Sequence, residues 1–191
     1  MILVGPLAAG KSTLGALVAA RIGFPFVDID DIAWTYCAEV GWDLDRLLAR
    51  DDAVGWAAAE REWEPARAHA VRRVVEDHPE AVIAFGAGYT SFTGPEHADQ
   101  VRQALAPVPD VVHLLPSPDP ERSVTVLRER ARSSRGKDWI IEGHDWIARW
   151  VADPLAGELA DATVFTDGVT PEESADQLVR LRERLLAELA A

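Results

Sequence analysis

The chain has 191 residues, 48% hydrophobic and 27% charged, which is enough for one domain with its own core and too apolar for a disordered chain. Asp and Glu number 32 against 19 Lys and Arg; a net charge of −13 argues against a dedicated nucleic-acid binder, whose affinity needs a broad basic surface. The single cysteine, Cys37, can close no internal disulfide and build no cysteine-based zinc site, no apolar run approaches the roughly 18 residues of a membrane span, and no basic stretch precedes the apolar start, so a cytoplasmic protein with no membrane partner is expected.

The first element is a buried strand, Ile2–Val4, followed at once by Gly5-Pro6-Leu7-Ala8-Ala9-Gly10-Lys11-Ser12 and then by a helix over Lys11–Ile22, with Leu14, Leu17 and Val18 at helical spacing. The eight residues fit G-x-x-x-x-G-K-[ST] in full, in the strand-to-helix setting that the pattern requires. Glycine at Gly5 and Gly10 lets successive backbone N–H groups, those of Ala8, Ala9 and Thr13 among them, turn inward around phosphates. The positive end of the helix adds attraction. Lys11 reaches the β- and γ-phosphates and the Ser12 hydroxyl can ligate Mg²⁺. Only two lysines occur in the chain, Lys11 and Lys137, so neither is casual surface filler.

Phe26–Asp28 reads as the second strand, ending in Asp28-Ile29-Asp30-Asp31. An acid at Asp28 can support Mg²⁺ through water, and Asp30, two residues on, projects toward the same cleft, where it can accept a proton from a substrate hydroxyl. The alternative is an acidic turn that only caps the next helix. Residues 32–78 read as a polar helical excursion. Residues 81–85, Val111–Leu115 and residues 162–166 read as further strands, and residues 121–131 as a helix after Asp119-Pro120. Residues 128–150 are rich in Arg and Trp. All seven tryptophans lie in the two excursions, as cleft walls or as packing. Thr170-Pro171-Glu172-Glu173 opens a last helix that should bury Leu178, Leu181, Leu185 and Leu189. Alternating strands and helices predict one α/β domain: a three-layer α/β/α P-loop NTPase fold on a five-stranded parallel sheet. Its core would be about 1–31, 79–127 and 151–191, with a substrate-binding segment at 32–78 and a lid at 128–150.

This arrangement resembles the shikimate kinases and their small P-loop kinase relatives over nearly the whole length. The likeness runs through the loop, Phe26-Val27-Asp28-Ile29-Asp30, Val82-Ile83-Ala84-Phe85-Gly86-Ala87-Gly88, Val111–Leu115 with its Arg-rich helix, and Asp153-Pro154-Leu155. The resemblance implies Mg²⁺ support by Asp28 and deprotonation of the substrate hydroxyl by Asp30. It further implies approach of the substrate to the Gly86 and Gly88 backbone, and charge neutralisation by lid cations, with Arg132 and Arg135 as catalytic residues and Arg128 on the nucleotide; Lys137 is a further candidate. The chain departs from the family where two arginines hold the shikimate carboxylate: Ala57 and Ala152 stand there, and Ala87 replaces the middle glycine of the turn. Arg61 or Arg67 could take over from a neighbouring turn, and Arg61 is assigned to the substrate side. From Asp28 to Glu64 eleven acids face three arginines, and from Glu121 to Lys137 six basic residues face two acids. That pattern suits a lid over ATP phosphates and a neutral or cationic acceptor.

The expectation is therefore an ATP- and Mg²⁺-dependent kinase, monomeric or weakly dimeric, that phosphorylates a hydroxyl of a small metabolite other than shikimate. The alternatives are a genuine shikimate kinase and a nucleotide-binding regulatory module without phosphotransfer. His144, Thr90, Ser91 and Thr93 could touch substrate or serve only their loops. The five histidines lack ligand spacing, and Cys37 should pack as a small apolar group.

Overall fold

The computed structural model describes residues 1–190. Ile2–Val4 forms β1, and the phosphate-type loop leads into α1, Lys11–Ile22, bracketed by Gly10 and Gly23 in the left-handed conformation. Then come β2, Phe26–Asp28, and three helices: α2, Ile29–Ala38, α3, Leu44–Val54, and α4, Trp56–Asp77. β3, Val82–Ala84, ends in a turn and a short 3₁₀ segment, Ala87–Thr90, before α5, Pro95–Leu105, and β4, Val111–Leu115. α6, Pro120–Arg135, is followed by a two-stranded hairpin of β5, Ile140–Ile141, and β6, His144–Asp145. α7, Trp146–Ala152, α8, Leu155–Glu158, β7, Ala162–Phe165, and α9, Pro171–Leu189, complete the chain.

The sheet is parallel throughout in the order β2-β3-β1-β4-β7, with Leu3 paired to Ala84 on one side and Val112 on the other. β1 lies in the middle, so the loop after it occupies the crevice where the winding reverses direction. Side chains alternate between the two faces. Ile2, Val4 and Ile83 pack with α2, α4 and α5, whereas Leu3, Val112 and Leu114 pack with Leu14, Val18, Leu127 and Leu178 of α1, α6 and α9. Both faces are covered, which is why the strands read as unbroken apolar runs.

Three sequence expectations are adjusted. The strand expected at 81–85 pairs only over Val82–Ala84, and α6 runs on to Arg135, so the helix expected to stop at 131 carries the first part of the segment expected as a lid. Leu189 is 69% exposed, and of the apolar stripe of α9 Leu178 and Leu181 are buried while Leu185 is half-buried against the same cluster. No helix among the described residues is long and apolar enough to cross a membrane.

Candidate functional site

A cleft of about 820 Å³ opens at the carboxyl ends of β1 and β3, between α1, α2 and α6. Its floor is the loop from Leu7 to Thr13. Gly10 is the N-cap of α1 and uses no side chain to satisfy the first turn, so the amides of α1 face the cleft. Ala8 holds φ at 61°, a left-handed conformation costly for a residue with a Cβ, and such strain collects at functional loops. Lys11 is buried, and its Nζ donates to the carbonyls of Gly5 at 2.9 Å and Pro6 at 2.7 Å, spanning the loop. Burial lowers its pKa to about 8, while Asp30 and Asp28 pull it back up. His113 on β4 lies under the loop, against Gly5; burial and then the Lys11 charge lower its pKa to about 4, so it adds no second cation there.

Asp28 and Asp30 both face this cleft. Asp28 also caps α2: its Oδ1 accepts from the Asp30 amide at 3.1 Å, which leaves Oδ2 uncommitted by that bond. Partial withdrawal from water, then repulsion by Asp28, raises the Asp30 carboxyl above its ordinary value, and Lys11 and Arg135 oppose the rise. Gly86 lies against the Asp30 carboxylate so closely that a methyl group there would collide with it, so the turn after β3 must be glycine at that point. Gly86 and Ala87 line the cleft. Gly88 faces the other way, its carbonyl accepting from Arg67.

The lid cations divide. Arg135 lines the cleft beside Asp30 and Lys11. Arg128, expected on the nucleotide, instead pairs with Asp145, and Arg132, expected to be catalytic, is exposed and sits 3.4 Å from Asp138. Helix phase explains Arg130: Val126, Leu127 and Ala131 are buried against the sheet, which turns Arg130, Ser133 and Ser134 toward the cleft, with Arg128 and Arg132 on the far side of the wheel. Arg135 shares the wheel side of Arg128 and borders the cleft from the last position of the helix. Sequence reasoning missed Arg130, whose guanidinium donates to Thr166 Oγ1 and to the Thr166 carbonyl, both at 3.1 Å. The wheel of α6, phased on its apolar residues, was the available signal. Lys137 is exposed.

On the acceptor side, Arg61 is exposed on α4 and not turned inward; its buried neighbour is Glu60. Arg67 is the inward arginine. It pairs with Glu60 at 2.6 Å, donates to the carbonyls of Gly88 and Ser91, and lies over the rings of Trp63 and Phe92. Burial pushes the Glu60 carboxyl up, against the pull of Arg67 and then Arg149. Ser91 donates to Asp153 at 2.6 Å, and Thr93 to Glu64 at 2.8 Å, so these hydroxyls serve the scaffold. Trp34, one helical turn after Asp30, stacks on Trp63 at 5.0 Å, and Tyr89 meets Trp63 edge-on. No tryptophan lines the phosphate cleft among the described residues. His144 is exposed on β6, and Cys37 is buried.

The oxygens on offer fit Mg²⁺. It keeps several waters and takes one or two protein ligands besides phosphate, and Ser12 and Asp28 supply a hydroxyl and a carboxylate on the cleft wall. No group of three or more His, Cys, Asp or Glu side chains placed to hold a metal ion occurs among the described residues.

A profile of the family described as shikimate kinase matches residues 7–182. A shikimate kinase of Chromohalobacter salexigens is 30% identical over 192 residues, covering 97% of this chain and 92% of its own. One from Stenotrophomonas maltophilia is 28% identical, covering 94% and 89%. Among solved structures, the Acinetobacter baumannii shikimate kinase in complex with shikimate superposes with a TM-score of 0.67 at 23% identity, over 96% of this chain and 92% of that one. The Aquifex aeolicus shikimate kinase reaches 0.59 at 19% identity, over 99% and 96%. These structural likenesses establish the five-stranded α/β fold, and the profile establishes the family. The chain belongs to the shikimate kinase family and is an ATP-dependent small-molecule kinase.

Proposed function

We propose that the chain transfers the γ-phosphoryl group of ATP to a hydroxyl of a small metabolite, with Asp30 as the base. The observation that carries this reading is the convergence of Lys11, Arg135 and Asp30 on one cleft wall, with the Gly86 backbone closed against the acid. The loop amides and Lys11 hold the β- and γ-phosphates, and Arg135 faces the charge that spreads over the transferred group. Mg²⁺, held by Ser12 and Asp28, would neutralise phosphate charge when bound. Asp30 takes the proton as the acceptor oxygen bonds to phosphorus; the bond from phosphorus to the β,γ-bridging oxygen breaks and ADP leaves. Positioning and charge neutralisation do most of the work, as in phosphoryl transfer generally.

Shikimate is the acceptor that the relatives' names support. A less anionic acceptor is the reading that the side chains support. Arg67 is already spent on Glu60 and two carbonyls, Ala57 and Ala152 carry no charge, and Asp153 adds a negative one beside Ser91. A buried carboxylate gains little from a guanidinium that is already neutralised. The deciding assay is ADP release with shikimate, with cyclic polyols and with amino sugars, each against ATP alone. Stimulation by shikimate only establishes the first reading, and stimulation by a neutral or amino acceptor only establishes the second. Asp30→Asn should cut acceptor-dependent turnover by about 10²- to 10⁴-fold while Mg·ATP still binds. Undiminished turnover in that variant removes Asp30 from the role of base.

A further inference from the structure

The lid is tied together internally. Arg128 of α6 pairs with Asp145 of β6, the Trp146 amide donates to the Trp139 carbonyl at 3.1 Å, and Trp150 packs on Trp139 at 5.8 Å and on Trp146 at 5.9 Å. The end of α6, the hairpin and α7 are thus cross-linked into one piece, with Arg135 at its inner edge. Outside itself, this piece meets the first turns of α4, on the acceptor side. Trp146, 2% exposed, meets the Trp56 ring at 6.5 Å, nearly perpendicular. The Glu142 carboxylate closes on Gly55, so that a Cβ there would lie 3.0 and 3.1 Å from its two oxygens. Gly55 is the N-cap of the 22-residue α4, holds φ at 80° and supplies no capping side chain. Glu142 therefore brings a negative group to the uncapped positive end of that helix. It does so from a backbone held at φ 52°, a conformation costly for a glutamate and followed by Gly143 at 78°. One turn further along α4, Glu60 feels the charge of Arg149 on α7.

We infer that Glu142 is a positioning residue for phosphoryl transfer: it clasps the lid onto the first turn of α4 and so sets Arg135 over the phosphate cleft. The inference rests on the kinase reading above but does not depend on which acceptor is used. The lid arginine is then registered by the helix that carries the acceptor side, so the two halves of the site come into place together. A Cβ at Gly55 would press the Glu142 carboxylate back by a few tenths of an ångström.

The test needs only nucleotide. Glu142 is exposed, so Glu142→Ala should fold and melt within about 4 °C of the wild type. Isothermal titration with Mg·AMP-PNP and with Mg·ADP reads the γ-phosphate contact by difference. In Glu142→Ala, affinity for AMP-PNP should fall by about 5- to 20-fold and affinity for ADP should stay within about twofold. A merely structural role would move both alike. Hydrogen exchange with AMP-PNP bound should speed up together over residues 138–145 and 56–59, with residues 5–12 unchanged. An unaltered ratio of the two affinities, or faster exchange confined to the hairpin, overturns the clasp. If the wild type binds neither nucleotide, the kinase reading fails first and the clasp falls with it.

Discussion

At the scale of single residues, the most informative group is the Lys11 ammonium. Buried under its own loop, it has a pKa lowered to about 8, so in the free protein it loses its proton within an accessible pH range. A triphosphate beside it would favour the charged form and raise that value. Between the free and bound values, binding must take up a proton. Calorimetry at pH 8.5 in buffers of different ionisation enthalpy should therefore register net proton uptake on adding Mg·ATP, and affinity should decline as pH rises above about 8. Binding without proton exchange would mean that the ammonium does not touch the phosphates. For Asp30 the sign is opposite. Its carboxyl is raised and must be ionised to serve as base, so turnover is lost as pH falls through a value above the ordinary carboxylate range. Both residues could be named as candidates from the sequence, because short motifs mark their positions. Their shifts could not, since burial and the neighbour charges arise only on folding.

At the scale of elements, α1 was legible to the residue because two glycines bracket it, and α9 because Thr170 and Glu173 cap each other through Thr170 Oγ1. α6 was legible as a helix, and an arginine-rich stretch announces a phosphate-facing surface. The buried side of its wheel singles out Arg130, whereas Arg135 borders the cleft from the end of the helix, which only the packed structure shows. The hairpin β5–β6 left no sequence signal, since two-residue strands are held by tertiary contacts such as Arg128 with Asp145. The uncharged Ala57 and Ala152 were legible in the sequence, whereas the engagement of the inward arginine, Arg67, by Glu60 and the Ser91 carbonyl shows only in the structure. The two arginines near the end of α6 make a direct contrast. Arg135→Ala should lower kcat by about 10²-fold or more, as removal of a charge-stabilising group in phosphoryl transfer does, whereas Arg132→Ala, exposed beside Asp138, should leave kcat within about twofold. Equal losses in the two variants would mean that the lid turns about its axis during the reaction.

At the scale of the whole molecule, the cleft occupies one end of the sheet and the opposite end is fastened by charge. The Met1 α-ammonium is buried, donating to the Ala81 carbonyl at 3.1 Å and lying 3.3 Å from Asp110, whose other oxygen is 2.9 Å from Arg182. One carboxylate thus joins the starts of β1 and β4 to α9, and the ammonium adds the residue before β3. Asp110 is 2% exposed, so its charge is withdrawn from water and compensated by the two cations alone. Such a pair adds little net stability over an apolar replacement, but removing one partner strands the others. Asp110→Asn leaves the Arg182 guanidinium without its counter-charge, and the Met1 amine, whose pKa burial already lowers, without the carboxylate that favours its charged form. It should cost about 3–5 kcal/mol, read as a lower denaturant midpoint with an unchanged slope. The Mg·ATP affinity of the folded fraction should not change, because none of the three groups borders the cleft. A loss of ATP affinity at full folding would show that the two ends of the sheet are mechanically coupled. An unmoved midpoint would show that water reaches the Asp110 site and screens it.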